Sequence, residues 1–301
     1  MTVTEHLAPA RAADGGGARA ARAARRPARR MWGTAAFHAS AGLLSLIWLV
    51  PIAVVLITAT RSFDDIAANG LGSLPHSFTL GGFRQAWVDG GQQQALINSL
   101  IVTVPTVLLS LLLASMAAFA LSRYDLPFRR ALLLLMLAGN LLPPQILLIP
   151  VSKLSEQLGL YDSLYALIGV QIGFGVGFYV FVLHGFMRAI PQEIQQAAVI
   201  DGAGPWQIYT RVILPLAKPA LAALTSLSFT WIFNDLLWAI TVLRTDTKMP
   251  ITASLLGLQG QYVSQWNVIA AGSVIAAAPT VIVFLRFQRH FVAGLNLGAV
   301  K

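Results

Sequence analysis

Six apolar runs divide the chain, at approximately residues 39–59, 95–121, 131–152, 163–187, 217–243 and 266–287. Each approaches the roughly 20 residues that an α-helix needs to cross the hydrocarbon core of a bilayer. Lipid offers no hydrogen-bond partner, so a spanning run must satisfy its backbone internally, as a helix does. The pattern predicts an all-α membrane protein with six transmembrane helices. Several runs contain Pro or Gly, among them Pro105, Pro143, Pro144, Gly173, Gly175, Gly177 and Pro279. These are tolerated where neighbouring helices satisfy the freed backbone groups, and the small residues let helices approach closely.

Composition points the same way. Of the 301 residues, 56% are hydrophobic and 11% charged, with a mean hydropathy of +0.68. Soluble domains carry about 25% charged residues, so this chain has too few for a water-facing surface. It has no Cys, which excludes disulfides, thiolate nucleophiles and Cys-based zinc sites.

The net charge of +9 is unevenly placed. Residues 1–35 read as a disordered basic arm, because seven Arg and almost no large apolar side chain cannot offset ordering entropy. A signal peptide would have an apolar core of about 7–15 residues. The first run is longer and lacks a small-residue cleavage site, which favours a retained first span in a six-helix domain over 36–301. With the N-terminus inside, the inner segments hold 16 of the 21 Lys and Arg. Arg61, Arg84, Lys153, Arg244 and Lys248 remain outside. The excess is a topology signal and an attraction to anionic lipid, rather than a nucleic-acid footprint. Both termini and the loop 188–216 are expected on the cytoplasmic face.

Within that loop, residues 195–219 read "QQAAVIDGAGPWQIYTRVILPLAKP". Pro191 suits the first position of a helix, and Glu193 complements the dipole in its first turn. Ile190, Ile194, Ala197 and Ala198 share one helical face. Asp201-Gly202 stops this helix, since Gly readily takes the left-handed conformation of a C-terminal cap. Gly204-Pro205 begins a second, with Trp206, Tyr209, Val212 and Ile213 available for packing. Pro215 and Pro219 mark the return to the bilayer. The spacing predicts a helix–turn–helix knob whose small-residue bend admits a partner's backbone. It also fits an amphipathic connector resting on headgroups.

Residue identities bear on that choice. The stretch resembles the cytoplasmic coupling loop of binding-protein-dependent ABC importer permeases, whose pattern is Glu-Ala-Ala, two residues, Asp-Gly-Ala, then an aromatic, aliphatics and Leu-Pro. Ala197, Ala198, Asp201, Gly202, Ala203, Tyr209, Ile213, Leu214 and Pro215 match or approximate it. Gln196 stands at the family's Glu position, so an ion pair there is replaced by hydrogen bonding, and Glu193 lies one turn earlier. The segments "LINSLIVT", "LSRYDLPFRR", "PPQILLIPVSKLSEQLGLYDSL", "FNDLLWA", "GQYVSQWNVIAAGSVIAAAPT" and "FQRHFVAGLNLGAVK" look like the carbohydrate-uptake branch, of maltose or glycerol-phosphate type. Together they cover most of residues 40–301 in order.

The resemblance implies a multi-pass subunit of the bacterial cytoplasmic membrane. Its implied partners are a homologous second permease, two ATPase subunits and an extracytoplasmic solute-binding protein. Glu193, Gln196, Ala197, Ala198, Asp201, Gly202, Ala203, Tyr209 and Pro215 would carry ATPase coupling. The chain itself has no G-x-x-x-x-G-K-[ST] phosphate cradle, no H-E-x-x-H and no G-x-S-x-G. It is therefore expected to hold no cofactor and catalyse nothing, with ATP and Mg bound on the partner.

Asn234 and Asp235 lie inside an apolar run, where a carboxylate is costly unless paired or hydrated. They fit either a sugar-hydroxyl acceptor on the pathway or an interhelical hydrogen bond, the commoner use of such groups. Gln145 and Gln171 are further pathway candidates. Trp231 and Trp238 fit sugar stacking or ordinary packing, and His184 reads as a packed side chain. A self-contained secondary transporter or channel using Asp235 is the alternative. Ion-coupled carriers usually show internal repeats, and none is evident here.

Overall fold

The structure is a computed structural model and describes residues 16–258 and 265–297. Among the described residues every regular element is helical. The chain divides into two units, residues 1–54 and 55–301.

The first unit consists of the long helix α1 (Gly16–Ala59), which continues into the second. Its portion Phe37–Ala59 is long and apolar enough to cross a membrane. Residues 16–35 of the expected basic arm are helical. Ala and Arg, which fill this stretch, are among the strongest helix formers. The remainder of the expected arm lies outside the described residues.

The second unit continues with α2 (Phe63–Asn69), α3 (Gly81–Trp87), α4 (Gln92–Arg123), α5 (Arg129–Leu141), α6 (Pro144–Gln157) and α7 (Leu164–Ala189). Then follow α8 (Gln192–Ile200), α9 (Pro205–Gln207), a π-helical turn Ile208–Ile213, α10 (Leu214–Leu216) and α11 (Lys218–Phe233). The short α12 (Leu237–Val242) and α13 (Ile251–Gly257) precede α14 (Trp266–Leu297). The main core is built on α4 and α7, with Val107, Leu111, Ala114, Leu183 and Met187 buried between them and their neighbours.

Four helices are long and apolar enough to span, and the number rises to six if each of two bent pairs counts as one span. Two of the predicted runs are not single straight helices. The run 131–152 is split into α5 and α6, which meet at 96°. Leu142 is extended at ψ 130° because a following proline disfavours the helical region, and Pro144 then opens α6. The run 217–243 breaks after Phe233, at Asn234 and Asp235, before α12. Pro105 and Pro279, by contrast, sit within unbroken helices.

Helix α4 has 32 residues and, at 1.5 Å each, runs roughly 48 Å, so its two ends mark opposite ends of the bundle. At its N-terminal end Asn98 donates to the carbonyls of Thr247 (2.8 Å) and Met249 (3.2 Å). Ser99 Oγ accepts from the Ile251 N–H at 2.8 Å. These bonds pin the 247–251 loop and give "LINS" a physical role.

The same loop is held by Asp162, a non-glycine residue at φ 57°. Its carboxylate accepts from the backbone N–H groups of Arg244 (2.8 Å) and Thr245 (3.0 Å), the Thr245 hydroxyl (2.6 Å) and Lys248 Nζ (2.9 Å). The Thr245 hydroxyl foremost, with those N–H groups and Lys248, holds the Asp162 carboxyl well below the usual carboxylate range. A folded-state pKa below the unfolded value of about 3.9 means that this clasp is fully present above that pH and weakens as pH falls through the folded value. Melting the purified chain across pH should show an acid limb below about pH 4 in the wild type. Asp162→Asn should start lower at neutral pH and lack part of that limb. Parallel curves for the two would contradict the clasp.

Candidate functional site

The knob is fixed at its root by one guanidinium. Arg123, the last residue of α4, donates from Nη2 to the carbonyls of Met187 (2.6 Å) and Ile190 (3.1 Å). It thereby adds a second donor to the Met187 carbonyl, which also accepts from the Ile190 N–H, and pairs the Ile190 carbonyl where the loop departs. Pro191 flanks α8 rather than opening it, and Gln192 is the first helical residue. The helix ends in a Schellman arrangement. The Gly202 N–H reaches the Val199 carbonyl at 3.0 Å, and the Ala203 N–H reaches the Ala198 carbonyl at 2.9 Å. Gly202 itself has φ 79°, the conformation only glycine adopts without strain. Gln207 Oε1 then accepts from the Gly204 N–H at 3.0 Å and caps the second helical piece.

That second piece is anchored from below. Ile208, Tyr209 and Ile213 are buried. The Tyr209 hydroxyl meets Ser115 Oγ of α4 at 2.7 Å, and its ring lies 5.3 Å from that of Phe119. The π-helical turn carries these side chains, placing Ile208 and Tyr209 on the bundle together with Ile213.

The upper surface is open. Ile200 is 85% exposed and Trp206 62%, on either side of the Gly202 bend. Glu193, Gln196, Ala197, Asp201, Gly202 and Pro215 are exposed, while Ala198 and Ala203 are half-buried against the core. The nine predicted coupling residues thus separate into an exposed group and a root, with Tyr209 wholly in the root. Ile200 was not among the candidates. Its position off the face shared by Ile194 and Ala198 is the signal that identifies it. A Cβ on Gly202 would meet nothing within 4 Å, so the bend faces open space.

Residues 110–296 match the family described as binding-protein-dependent transport system inner membrane component. The chain belongs to that family of permeases. It is 30% identical to the diacetylchitobiose uptake system permease protein NgcG of Streptomyces coelicolor, over 93% of each chain. It is also 30% identical to the osmoprotective compounds uptake permease protein GgtD of Synechocystis sp., over 90% of this chain and 93% of that one. The melibiose/raffinose/stachyose import permease protein MelC of Bacillus subtilis is 28% identical, over 87% of this chain and 94% of its own. Among solved structures, a bacterial ABC transporter involved in the import of the acidic polysaccharide alginate aligns with a TM-score of 0.76 and 25% identity. That alignment covers 88% of this chain and 98% of that one.

The intramembrane candidates of this permease have separate surroundings. Asp235 Oδ2 accepts from the Trp238 N–H at 3.2 Å, capping α12, and the Asp235 carbonyl accepts from the Thr252 hydroxyl at 2.9 Å. Asn234 Nδ2 donates to the Thr230 carbonyl (2.8 Å) and to Thr280 Oγ1 of α14 (3.2 Å), a bond between helices. Both arrangements fit the structural role for this pair. Gln145 is exposed at the start of α6. Gln171 is half-buried, and its enclosed Nε2 has no hydrogen-bond partner among the described residues. Trp238 is buried and stacked on Phe174 at 4.8 Å, whereas Trp231 is 54% exposed beside Phe178.

Tyr209→Phe removes one partner of a buried hydroxyl pair. It should lower the permease's stability by about 1 kcal/mol, the net worth of a typical buried hydrogen bond. Ser115→Ala in the same background should add little. A melting series of both single variants and the double variant checks this, and fully additive losses would contradict a shared bond.

Proposed function

We propose that this permease is one of two membrane subunits of an ATP-driven importer that carries a carbohydrate or related polyol across the cytoplasmic membrane. The observation that carries the reading is the knob itself. Its root is buried on α4 through Tyr209, and its tip presents Ile200, Trp206 and the bare Gly202 bend outward. A partner's ATP-driven closure, seated on that tip, would be delivered to the bundle as rigid-body motion.

The ATPase pair supplies ATP and Mg chemistry, which this chain lacks the motifs to perform. Exposed Gln196 and Glu193 provide hydrogen-bonding and charged contacts beside the apolar tip. The bent pair α5–α6 forms one span and α11 with α12 another, which with the four long helices gives six. The knob and both termini face the cytoplasm, in line with the Lys and Arg asymmetry. Relatives named for diacetylchitobiose, melibiose and raffinose support a carbohydrate-class solute. A solute-binding protein delivers it at the opposite end, where Asp162 and Asn98 hold the loops. Gln171 on α7, whose enclosed Nε2 has no hydrogen-bond partner among the described residues, is the pathway candidate with hydrogen-bonding capacity to spare.

Gly202→Asp tests the reading. In the chain alone it costs left-handed strain of roughly 1–2 kcal/mol, too little to unfold a membrane bundle. In the complex it puts bulk and charge against the partner. The variant should reach the membrane at normal abundance and lose uptake at least tenfold. Unchanged uptake would remove the coupling assignment, and absence from the membrane would show a folding defect instead.

A further inference from the structure

The segment 124–130, "YDLPFRR", joins α4 to α5 at the knob's end of the bundle. Phe128 takes φ 59°, in the left-handed region. A bulky residue is disfavoured there because its Cβ crowds the following carbonyl, and glycine would take the same turn without strain. Burial does not compensate, since the ring is 82% exposed. Leu126, two residues earlier, is 41% exposed. The chain thus holds an aromatic ring outward at a backbone position unsuited to it.

The neighbouring charges are cationic in balance. Arg130 is exposed and makes no ion pair among the described residues. Arg129 lies 3.8 Å from the Asp125 carboxylate, which is itself fully exposed, so that pair is weak. Arg123 is occupied by the carbonyls of Met187 and Ile190. Beyond the arginines, α5 buries no residue, and Leu132, Leu134 and Leu135 are exposed along it. An open leucine flank, an outward aromatic and two guanidiniums therefore occur side by side.

We infer that the 125–130 loop is a docking surface for an anionic phospholipid. The Phe128 ring enters the boundary between acyl chains and headgroups, where amphipathic and aromatic side chains concentrate. Arg129 and Arg130 meet the phosphate, whose oxygens guanidinium groups bind by charge-assisted hydrogen bonds. The leucine flank of α5 continues the surface into hydrocarbon, which favours lipid over a cytoplasmic protein as the occupant. An anionic headgroup outcompetes a zwitterionic one because Asp125 alone opposes the two arginines.

The full-length chain, purified in mild detergent with its accompanying subunits, is melted with added phosphatidylglycerol or phosphatidylcholine. In the wild type, phosphatidylglycerol should raise the midpoint and phosphatidylcholine should raise it less. Arg129→Gln combined with Arg130→Gln should abolish that difference. Phe128→Gly should melt higher before any lipid is added, because the strained turn is relieved, yet gain less from phosphatidylglycerol. Equal lipid shifts in all three proteins would overturn the inference. Loss of an accompanying cytoplasmic subunit from the variants, with the phosphatidylglycerol shift intact, would overturn it too and assign the surface to that subunit.

Discussion

The contact between the hydroxyls of Tyr209 and Ser115, 2.7 Å apart inside the bundle, joins the loop to the membrane helices. A loop held only by its ends would bend when pushed. This one is nailed through its middle by a buried ring and at its entrance by Arg123 on the carbonyls of Met187 and Ile190. The buried hydroxyl pair is the stronger of the two attachments, because water cannot replace either partner there. The knob is therefore tied to α4 at two points.

That coupling has a consequence at the other end of the bundle. Helix α4 is continuous from Gln92 to Arg123, through Pro105. Its first turns hold the 247–251 loop through Asn98 and Ser99, and Asp162 grips the adjoining segment. The knob and the loops at the opposite end are thus attached to one continuous helix. The breaks lie elsewhere: between α5 and α6, at Ala217 between α10 and α11, and around Asn234.

Much of this was legible in the residues. The apolar runs located the helices, and Asp201-Gly202 located the bend, because the left-handed cap leaves a glycine signature. The broken runs were less legible. Pro143-Pro144 marked a tolerated irregularity, but a 96° turn depends on what packs against each half. Asp235 fitted a structural role better than a pathway one, but its capping bond to Trp238 is a matter of local backbone path and not of spacing. Tyr209 matched the coupling pattern by identity, yet it serves as a root. Ile200, outside that pattern, forms the tip. Burial sorted the two, and a single sequence carries burial only through periodicity.

The central claim is that the tip of the knob is covered by a separate ATP-hydrolysing subunit. The chain has no Cys, so a single photo-reactive residue or a single Cys at Ile200 reports from that position alone. Irradiation in native membranes should join position 200 to a cytoplasmic polypeptide carrying a nucleotide-binding motif. A control at Tyr209, buried in the root, should not. Cross-links from position 200 to lipid alone would contradict the claim and make the knob a connector lying on the membrane surface.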